Sequence, residues 1–183
     1  MQKQTQETFS VRTIAMIGAL AAIVYVATLL RIPLLGSKIH LANAFCLLAG
    51  MLLGPVPGGL AAGIGSALYD AFTGYDAIGI LITFISKFAM AWVCGKLMGS
   101  REKTRRIDRT LLAAVLGALT YVFLYMLKTF IYQKFVYGFP WDAVMTTLWL
   151  KLVPSLLNAA AAVVVAPLLY HALQPALRAI LKK

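Results

Sequence analysis

The sequence predicts an all-α integral membrane protein: a compact bundle of about six transmembrane helices with both termini in the cytoplasm. Of its 183 residues, 61% are hydrophobic and only 13% are charged, whereas a soluble domain is about 25% charged. The apolar residues form runs near the length that crosses a bilayer, about 20 residues. The 17 Lys and Arg residues, against 6 Asp and Glu, are shared unevenly between the two sets of loops. These observations exclude most soluble classes.

The predicted spans follow from the breaks between apolar runs. They cover about residues 13–30, 41–53, 60–72, 77–98, 111–132 and 143–170, in one domain, 1–183. The first ends near Pro33, because proline disfavours helical geometry in the preceding residue. The second and third are short and flank Gly54-Pro55-Val56-Pro57-Gly58-Gly59, which we expect to form a turn between two tightly packed antiparallel helices. The polar residues 100–110 predict a solvent loop.

The distribution of cations predicts the orientation, because loops rich in Lys and Arg stay in the cytoplasm. The side with both termini and the fourth loop carries eleven cations: Lys3, Arg12, Lys96, Arg101, Lys103, Arg105, Arg106, Arg109, Arg178, Lys182 and Lys183. The opposite side carries Arg31, Lys38 and Lys134. Most of the positive charge is therefore a topology signal, and nucleic-acid binding is disfavoured.

Three lysines fall inside predicted spans, where a charge at the helix centre costs about 2.5–3.5 kcal/mol. Lys87 and Lys151 lie far from the helix ends, so a binding site is favoured over snorkelling to the interface. Lys128, near the outer end, fits both alternatives equally. Residues three or four apart share a helix face, which aligns polar stripes around these lysines. The stripes are Tyr121, Tyr125, Lys128 and Tyr132 on the fifth span, and Thr147, Lys151, Ser155 and Asn158 on the sixth.

These stripes predict a pocket open to the outside, in which tyrosines stack on a flat ring and lysines bind an anionic or accepting group. Asp70 is the acid expected at membrane depth, and we favour neutralisation of a lysine over direct ligand contact. His40 and Asn43 lie three residues apart at the outer end of the second span. For His40, an interfacial hydrogen bond is the favoured alternative to a ligand contact. The two cysteines lie in apolar runs and indicate no metal site.

Small residues on the first span indicate close helix packing, since such residues spaced by four let helices approach in lipid. They are Ala15, Gly18, Ala19 and Ala22. The patch fits either internal packing or a partner protein. Gly59 and Gly63 on the third span, with Gly65, favour internal packing.

The chain resembles the substrate-binding S components of energy-coupling factor (ECF) vitamin transporters over nearly its whole length. The resemblance rests on Ala15-Met16-Ile17-Gly18-Ala19 and on the stretch from His40 through Gly54-Pro55 to Asp70. It implies capture of a water-soluble vitamin at the outer side of the cell membrane, with a transmembrane coupling subunit and two cytoplasmic ATPases as partners. It also implies that Ala15 and Ala19 meet the coupling subunit. The family's ligand region corresponds to Lys87, Tyr125, Lys128 and Lys151.

Other functions are less well supported. The sequence has no GxxxxGK[ST] motif of its own, so we expect no bound cofactor and ATP hydrolysis in separate subunits. A membrane protease would need Ser66 and His171 together, and we expect them at opposite ends of the bundle. A stand-alone secondary transporter of a small anion is the main alternative, although the two halves show no convincing repeat. Pantothenate fits the lysines, whereas vitamin B6 or a thiamin precursor fits the tyrosines.

Overall fold

The computed structural model describes residues 10–34, 37–99 and 107–181, with side chains as far as residue 175. This part of the chain forms six α-helices: α1 (Val11–Leu29), α2 (Ala42–Leu53), α3 (Pro55–Phe72), α4 (Ala77–Met98), α5 (Ile107–Ile131) and α6 (Trp141–Leu181). A π-helical turn, Tyr132–Val136, continues α5. Two antiparallel strands, β1 (Arg31–Leu34) and β2 (Ser37–His40), form a hairpin between α1 and α2, with Arg31 opposite His40. The all-α class is confirmed.

The short helix α2 forms the centre of the bundle. Ten of its 12 residues are buried, and it contacts all five other helices. Around it, α1 packs on α3, α3 on α4, α4 on α5 and α5 on α6. Its Leu47 and Cys46 are fully buried in the main hydrophobic cluster with Met90 of α4 and Ala114 of α5. An all-round apolar sequence therefore marks a helix enclosed by other helices.

Glycines set the closest helix contacts. A Cβ on Gly50 would clash with the carbonyl oxygen of Ala91, and one on Gly65 would clash with that of Ala21. Gly59 and Gly63 pack directly against the rings of Phe88 and Phe84 on α4. The expectation that Gly59, Gly63 and Gly65 serve internal packing is confirmed.

The predicted turn between the second and third spans is wrong. Only Gly54, at φ +88°, separates α2 from α3, and α3 already begins at Pro55. Prolines fit the first turn of a helix because the N–H they lack has no intrahelical acceptor there. Gly58 also lies within α3. Because it has no side chain, α3 can pack directly against Gly50 at this position.

Two further boundaries differ from the expected ones. The loop after the first span contains the hairpin, whose strands are too short to give a clear alternating pattern. Helix α6 continues past the predicted end at Tyr170 to Leu181, although Pro167 and Pro175 lie within it. Its 41 residues correspond to about 60 Å, roughly twice the thickness of the hydrocarbon core.

Four helical segments of the described chain are long and apolar enough to cross a membrane. They are Val11–Leu29, Ala77–Met98, Ile107–Val136 and Trp141–Pro175. Large apolar side chains cover their outer faces, for example Ile85, Phe123 and Leu168 at 53%, 66% and 66% exposure. Such faces are typical of contact with lipid.

The helix ends that are predicted to face the cytoplasm carry only part of the counted charge in the described residues. Arg12, Lys96 and Arg109 lie there. Lys3, Arg101, Lys103, Arg105, Arg106, Lys182 and Lys183, and the side chain of Arg178, lie outside the described residues.

Candidate ligand-binding site

A polar cavity of about 360 Å³ lies at the end of the bundle where α4 begins and α5 ends. Small-molecule sites are usually of about 300–1,000 Å³. Helices α3 to α6, the π-helical turn and strand β2 all contribute to its walls. Its charged and hydrogen-bonding lining includes Lys38, His40, Ser66, Tyr69, Asp70, Tyr75, Asp76, Lys87, Tyr121, Tyr125, Lys128, Gln133, Lys151, Ser155 and Asn158. The helices thus bring residues far apart in the sequence into one site.

Lys87 lies at the floor of this cavity and is only 4% exposed. It lies ten positions after the start of α4, which places it about 15 Å along the helix. Its ammonium donates a hydrogen bond to Oδ1 of Asn43, which is 1% exposed on α2. The same ammonium lies 3.7 Å from the ring centroid of Tyr121. These contacts hold the charge in place and leave donor capacity directed into the cavity.

An aromatic wall rises from the floor along α5. The rings of Tyr121 and Tyr125 are stacked, with centroids 6.0 Å apart and an interplanar angle of 18°. Lys128 follows one turn later, with its ammonium 5.7 Å from the ring centroid of Tyr132. Lys151 faces the same cavity from α6, ten residues after the start of that helix. A flat ring and a nearby anionic group would both find contacts here.

Strand β2 covers one side of the cavity and is held by Asn158 of α6. The amide Nδ2 of Asn158 donates to the carbonyl of Lys38 at 2.7 Å, and its Oδ1 accepts from the backbone N–H of His40 at 2.9 Å. Lys38 also donates to the hydroxyl of Tyr75 at 3.2 Å, across the mouth. Asn158 therefore positions the strand with both ends of its amide.

His40 is an uncharged member of the site. Burial, together with the nearby cations Lys87, Lys38 and Arg31, lowers the pKa of His40 from 6.5 to about 3. A pKa this low keeps the imidazole neutral at physiological pH. Its Nδ1 is buried with no hydrogen-bond partner among the described residues. The ring thus offers the cavity a polar atom without adding charge.

The cavity carries a net positive formal charge, from four lysines and two aspartates in its lining. Asp76 caps α4, accepting from the N–H of Gly79 at 3.0 Å. Asp70 is 8% exposed, and none of the described residues forms a hydrogen bond or ion pair with its carboxylate. Asp70 nevertheless interacts electrostatically with Lys87. The favoured expectation that Asp70 neutralises a lysine therefore stays a prediction.

Residues 8–175 match the family model described as ECF-type riboflavin transporter, S component. The chain belongs to this family. A solved structure described as "Structure and mechanism of the S component of a bacterial ECF transporter" has the same fold, with a TM-score of 0.69 and 18% identity, over 91% of this chain and 97% of that one. A search of curated proteins found no match. The resemblance to S components is confirmed: the protein is a membrane-embedded, substrate-binding subunit of an ECF transporter, and S components are not enzymes.

In this S component the cavity brings together most of the residues predicted to bind substrate. Lys87, Lys151, Lys128, Tyr125, Tyr121, His40, Asp70 and Asn158 line it, and Asn43 lies behind Lys87. Sequence reasoning missed Lys38, Tyr69, Tyr75 and Gln133. Helical spacing offered a signal for Tyr69, which lies three residues after Ser66 and next to Asp70. No pattern marked Gln133, because the π-helical turn decides where its side chain lies.

The small residues of α1 lie on the opposite face from the core. Ala15, Gly18, Ala19 and Ala22 are all exposed, and a Cβ on Gly18 would meet nothing within 4 Å. The buried side of α1 is formed by Ile17, Leu20, Ala21 and Val24 instead. This S component therefore presents a smooth helix surface, the α1 small-residue face, defined by the four exposed residues.

The residues considered for a protease do not meet. Ser66 lines the cavity, whereas Nε2 of His171 lies 3.2 Å from the hydroxyl of Thr110 in the first turn of α5. That turn is at the opposite end of α5 from the cavity. The expected separation of Ser66 and His171 is confirmed.

Proposed function

We propose that this S component captures a water-soluble vitamin or vitamin precursor with high affinity at the outer face of the plasma membrane. The single observation that carries the proposal is the cavity itself, which combines a stacked tyrosine pair with lysines at its floor and walls. The loops at this end of the bundle carry few cations, which favours an outward-facing mouth. The chain is then a single six-span domain with both termini in the cytoplasm.

The substrate we favour is a planar heteroaromatic compound with hydrogen-bond acceptors or an anionic group. Riboflavin is the compound named in the description of the matching family, and its flat ring suits the wall of Tyr121 and Tyr125. A vitamin B6 compound and a thiamin precursor have flat rings as well. Pantothenate would use the lysines alone. Lys87, Lys151 and Lys128 bind the accepting groups, while Asn43 holds Lys87 in position.

A direct measurement identifies the substrate. The protein is purified in mild detergent, the small molecules that it retains are identified by mass spectrometry, and affinities are measured by calorimetry for riboflavin, pyridoxine, hydroxymethylpyrimidine and pantothenate. We expect one ring compound to be retained and to bind far more tightly than pantothenate. Retention of no compound, with no measurable affinity for any of the four, would refute the proposal.

We further propose that the α1 small-residue face docks on a transmembrane coupling subunit, which works with two cytoplasmic ATPases. The protein itself then needs no cofactor, and ATP is used by the partners. The support is the exposure of all four residues, since small side chains let helices approach closely in lipid. Family membership favours this importer over the stand-alone secondary transporter.

The docking proposal predicts a separation between binding and transport. Ala15→Phe and Ala19→Phe place a bulky ring on the α1 small-residue face, so we expect lost co-purification with the coupling subunit and lost uptake, with substrate affinity unchanged. Ala160→Phe, at an exposed position of α6, is the matched control and should leave both intact. Loss of substrate affinity with an intact complex would contradict the assignment of this face.

A further inference from the structure

Three buried polar atoms in the cavity have no hydrogen-bond partner among the described residues. They are the hydroxyl of Tyr69, Oε1 of Gln133 and Nδ1 of His40. All three residues line the same cavity, from α3, the π-helical turn and β2 respectively. Polar groups buried in a protein interior are nearly always hydrogen-bonded, so three unpartnered groups around one cavity indicate a common role in ligand binding.

Tyr69 shows the feature most clearly. The residue is only 3% exposed, and its ring is held by cations on both strands of the hairpin, with Arg31 at 5.3 Å and Lys38 at 5.4 Å from the ring centroid. The ring therefore has a structural role of its own, whereas the hydroxyl has none that the described residues supply. A phenylalanine would fill the same space equally well.

Gln133 is brought to the cavity by the π-helical turn. Such turns are rare and occur frequently at functional sites. An amide side-chain oxygen can only accept hydrogen bonds. The carboxylate of Asp70 is another acceptor in the lining, with no described donor, as shown above. A ligand with N–H or O–H groups would supply the donors that these acceptors lack.

We propose that the amide oxygen of Gln133 and the carboxylate of Asp70 form an acceptor set that selects ligands carrying N–H or O–H donors. The Tyr69 hydroxyl and the His40 Nδ1, which can each donate or accept, complete this set. This inference rests on the proposed function and refines its substrate class. The lysines bind the accepting or anionic part of the ligand, and the acceptor set binds a donor edge such as an imide, an amino group or a hydroxyl. A flat ring carboxylate without such a donor would contact the lysines but would form no hydrogen bond with the acceptor set.

The test compares buried polar groups with and without partners. Tyr69→Phe and Gln133→Leu remove the unpartnered groups. Tyr170→Phe and Gln174→Leu are the matched controls, because Gln174 donates to the Tyr170 hydroxyl at 3.4 Å outside the cavity. Affinity is measured by calorimetry for riboflavin, pyridoxine, hydroxymethylpyrimidine and pantothenate, with nicotinate as a ring carboxylate without a donor. The melting temperature of each ligand-free variant is measured in parallel.

We expect the two cavity variants to weaken binding of the preferred compound by about 3- to 10-fold, the value of one neutral hydrogen bond. Their melting temperatures should be equal to or above that of the wild type, whereas the controls should lower the melting temperature and leave affinity unchanged. The proposed acceptor set would be refuted by any one of three results. These are unchanged affinity in both cavity variants, melting temperatures below that of the wild type in those variants, and tighter binding of nicotinate than of any other compound.

Failure of the proposed function would show separately, as a wild-type protein that binds none of the compounds. That result would refute the acceptor set together with the proposed function. Tight binding by the wild type that is unchanged in both Tyr69→Phe and Gln133→Leu would instead refute the acceptor set alone and leave the proposed function standing.

Discussion

Replacement of Lys87 by methionine tests the chemistry of the cavity floor most directly. The two side chains are similar in length, so Lys87→Met removes the charge and its hydrogen bonds while largely preserving the packing. In the folded protein the ammonium contacts Oδ1 of Asn43 and the ring of Tyr121. Its remaining donors are free to bind an accepting group of the substrate.

The size of the effect follows from these contacts. A hydrogen bond to a charged group contributes about 1.5–3 kcal/mol, and each 1.4 kcal/mol is tenfold in affinity. Lys87→Met should therefore weaken substrate binding by about 10- to 150-fold. Asn43 acts through Lys87, so Asn43→Leu should weaken binding less. The double variant should bind as Lys87→Met does, since the positioning residue has nothing left to position.

The assay is isothermal titration with the compound that the wild-type protein retains, together with thermal melting in detergent. Lys134→Met is the matched control, because Lys134 lies on the π-helical turn near Trp141, at 5.9 Å from its ring centroid, and does not line the cavity. It should bind like the wild type. Binding by folded Lys87→Met within twofold of the wild type would refute the role of Lys87, and simple addition of the effects of Lys87→Met and Asn43→Leu would refute that of Asn43.

Three further predictions concern the parts that hold the site together. Asn158→Leu removes both hydrogen bonds to β2 and should speed substrate release by about tenfold in stopped-flow measurements, with unchanged release contradicting its positioning role. Gly65→Ala should lower the melting temperature, because overpacking against the α1 backbone costs about 1–3 kcal/mol, while Gly18→Ala should not. A drop of similar size in both would contradict the packing. His40 has a pKa of about 3 in the folded protein against 6.5 unfolded, so the unfolded state binds the extra proton. The contribution of His40 to stability is therefore full above pH 6.5 and declines below it, by about 2 kcal/mol between pH 8 and pH 5. The melting temperature of His40→Asn should fall less on acidification than that of the wild type.

Helical periodicity predicted which polar residues of one helix would lie on the same face. Tyr121, Tyr125 and Lys128 share a face because they are four and three residues apart, and that relation is local to one helix. The same holds for Lys151 and Asn158 on α6. The lysines stood out because a buried charge in an apolar span is costly, so each one required a partner or a ligand.

The partners of these residues could not be predicted in the same way. The hydrogen bond from Lys87 to Asn43 joins residues 44 apart in the chain, and that from Asn158 to Lys38 joins residues 120 apart. Such contacts depend on how the helices pack. The distance between Asp70 and each lysine likewise depends on packing, since charge alone does not specify distance.

The sequence by itself determined the membrane class, the helices and the lysines that make the interior polar, because hydrophobic runs and helical spacing are local properties of the chain. Only the tertiary structure decided which side of α1 is exposed, how β2 closes the cavity, and that Tyr69, Gln133 and His40 face the same space. Those features depend on glycine contacts between helices and on one π-helical turn. Their geometry is fixed by packing across the bundle, which no local pattern records.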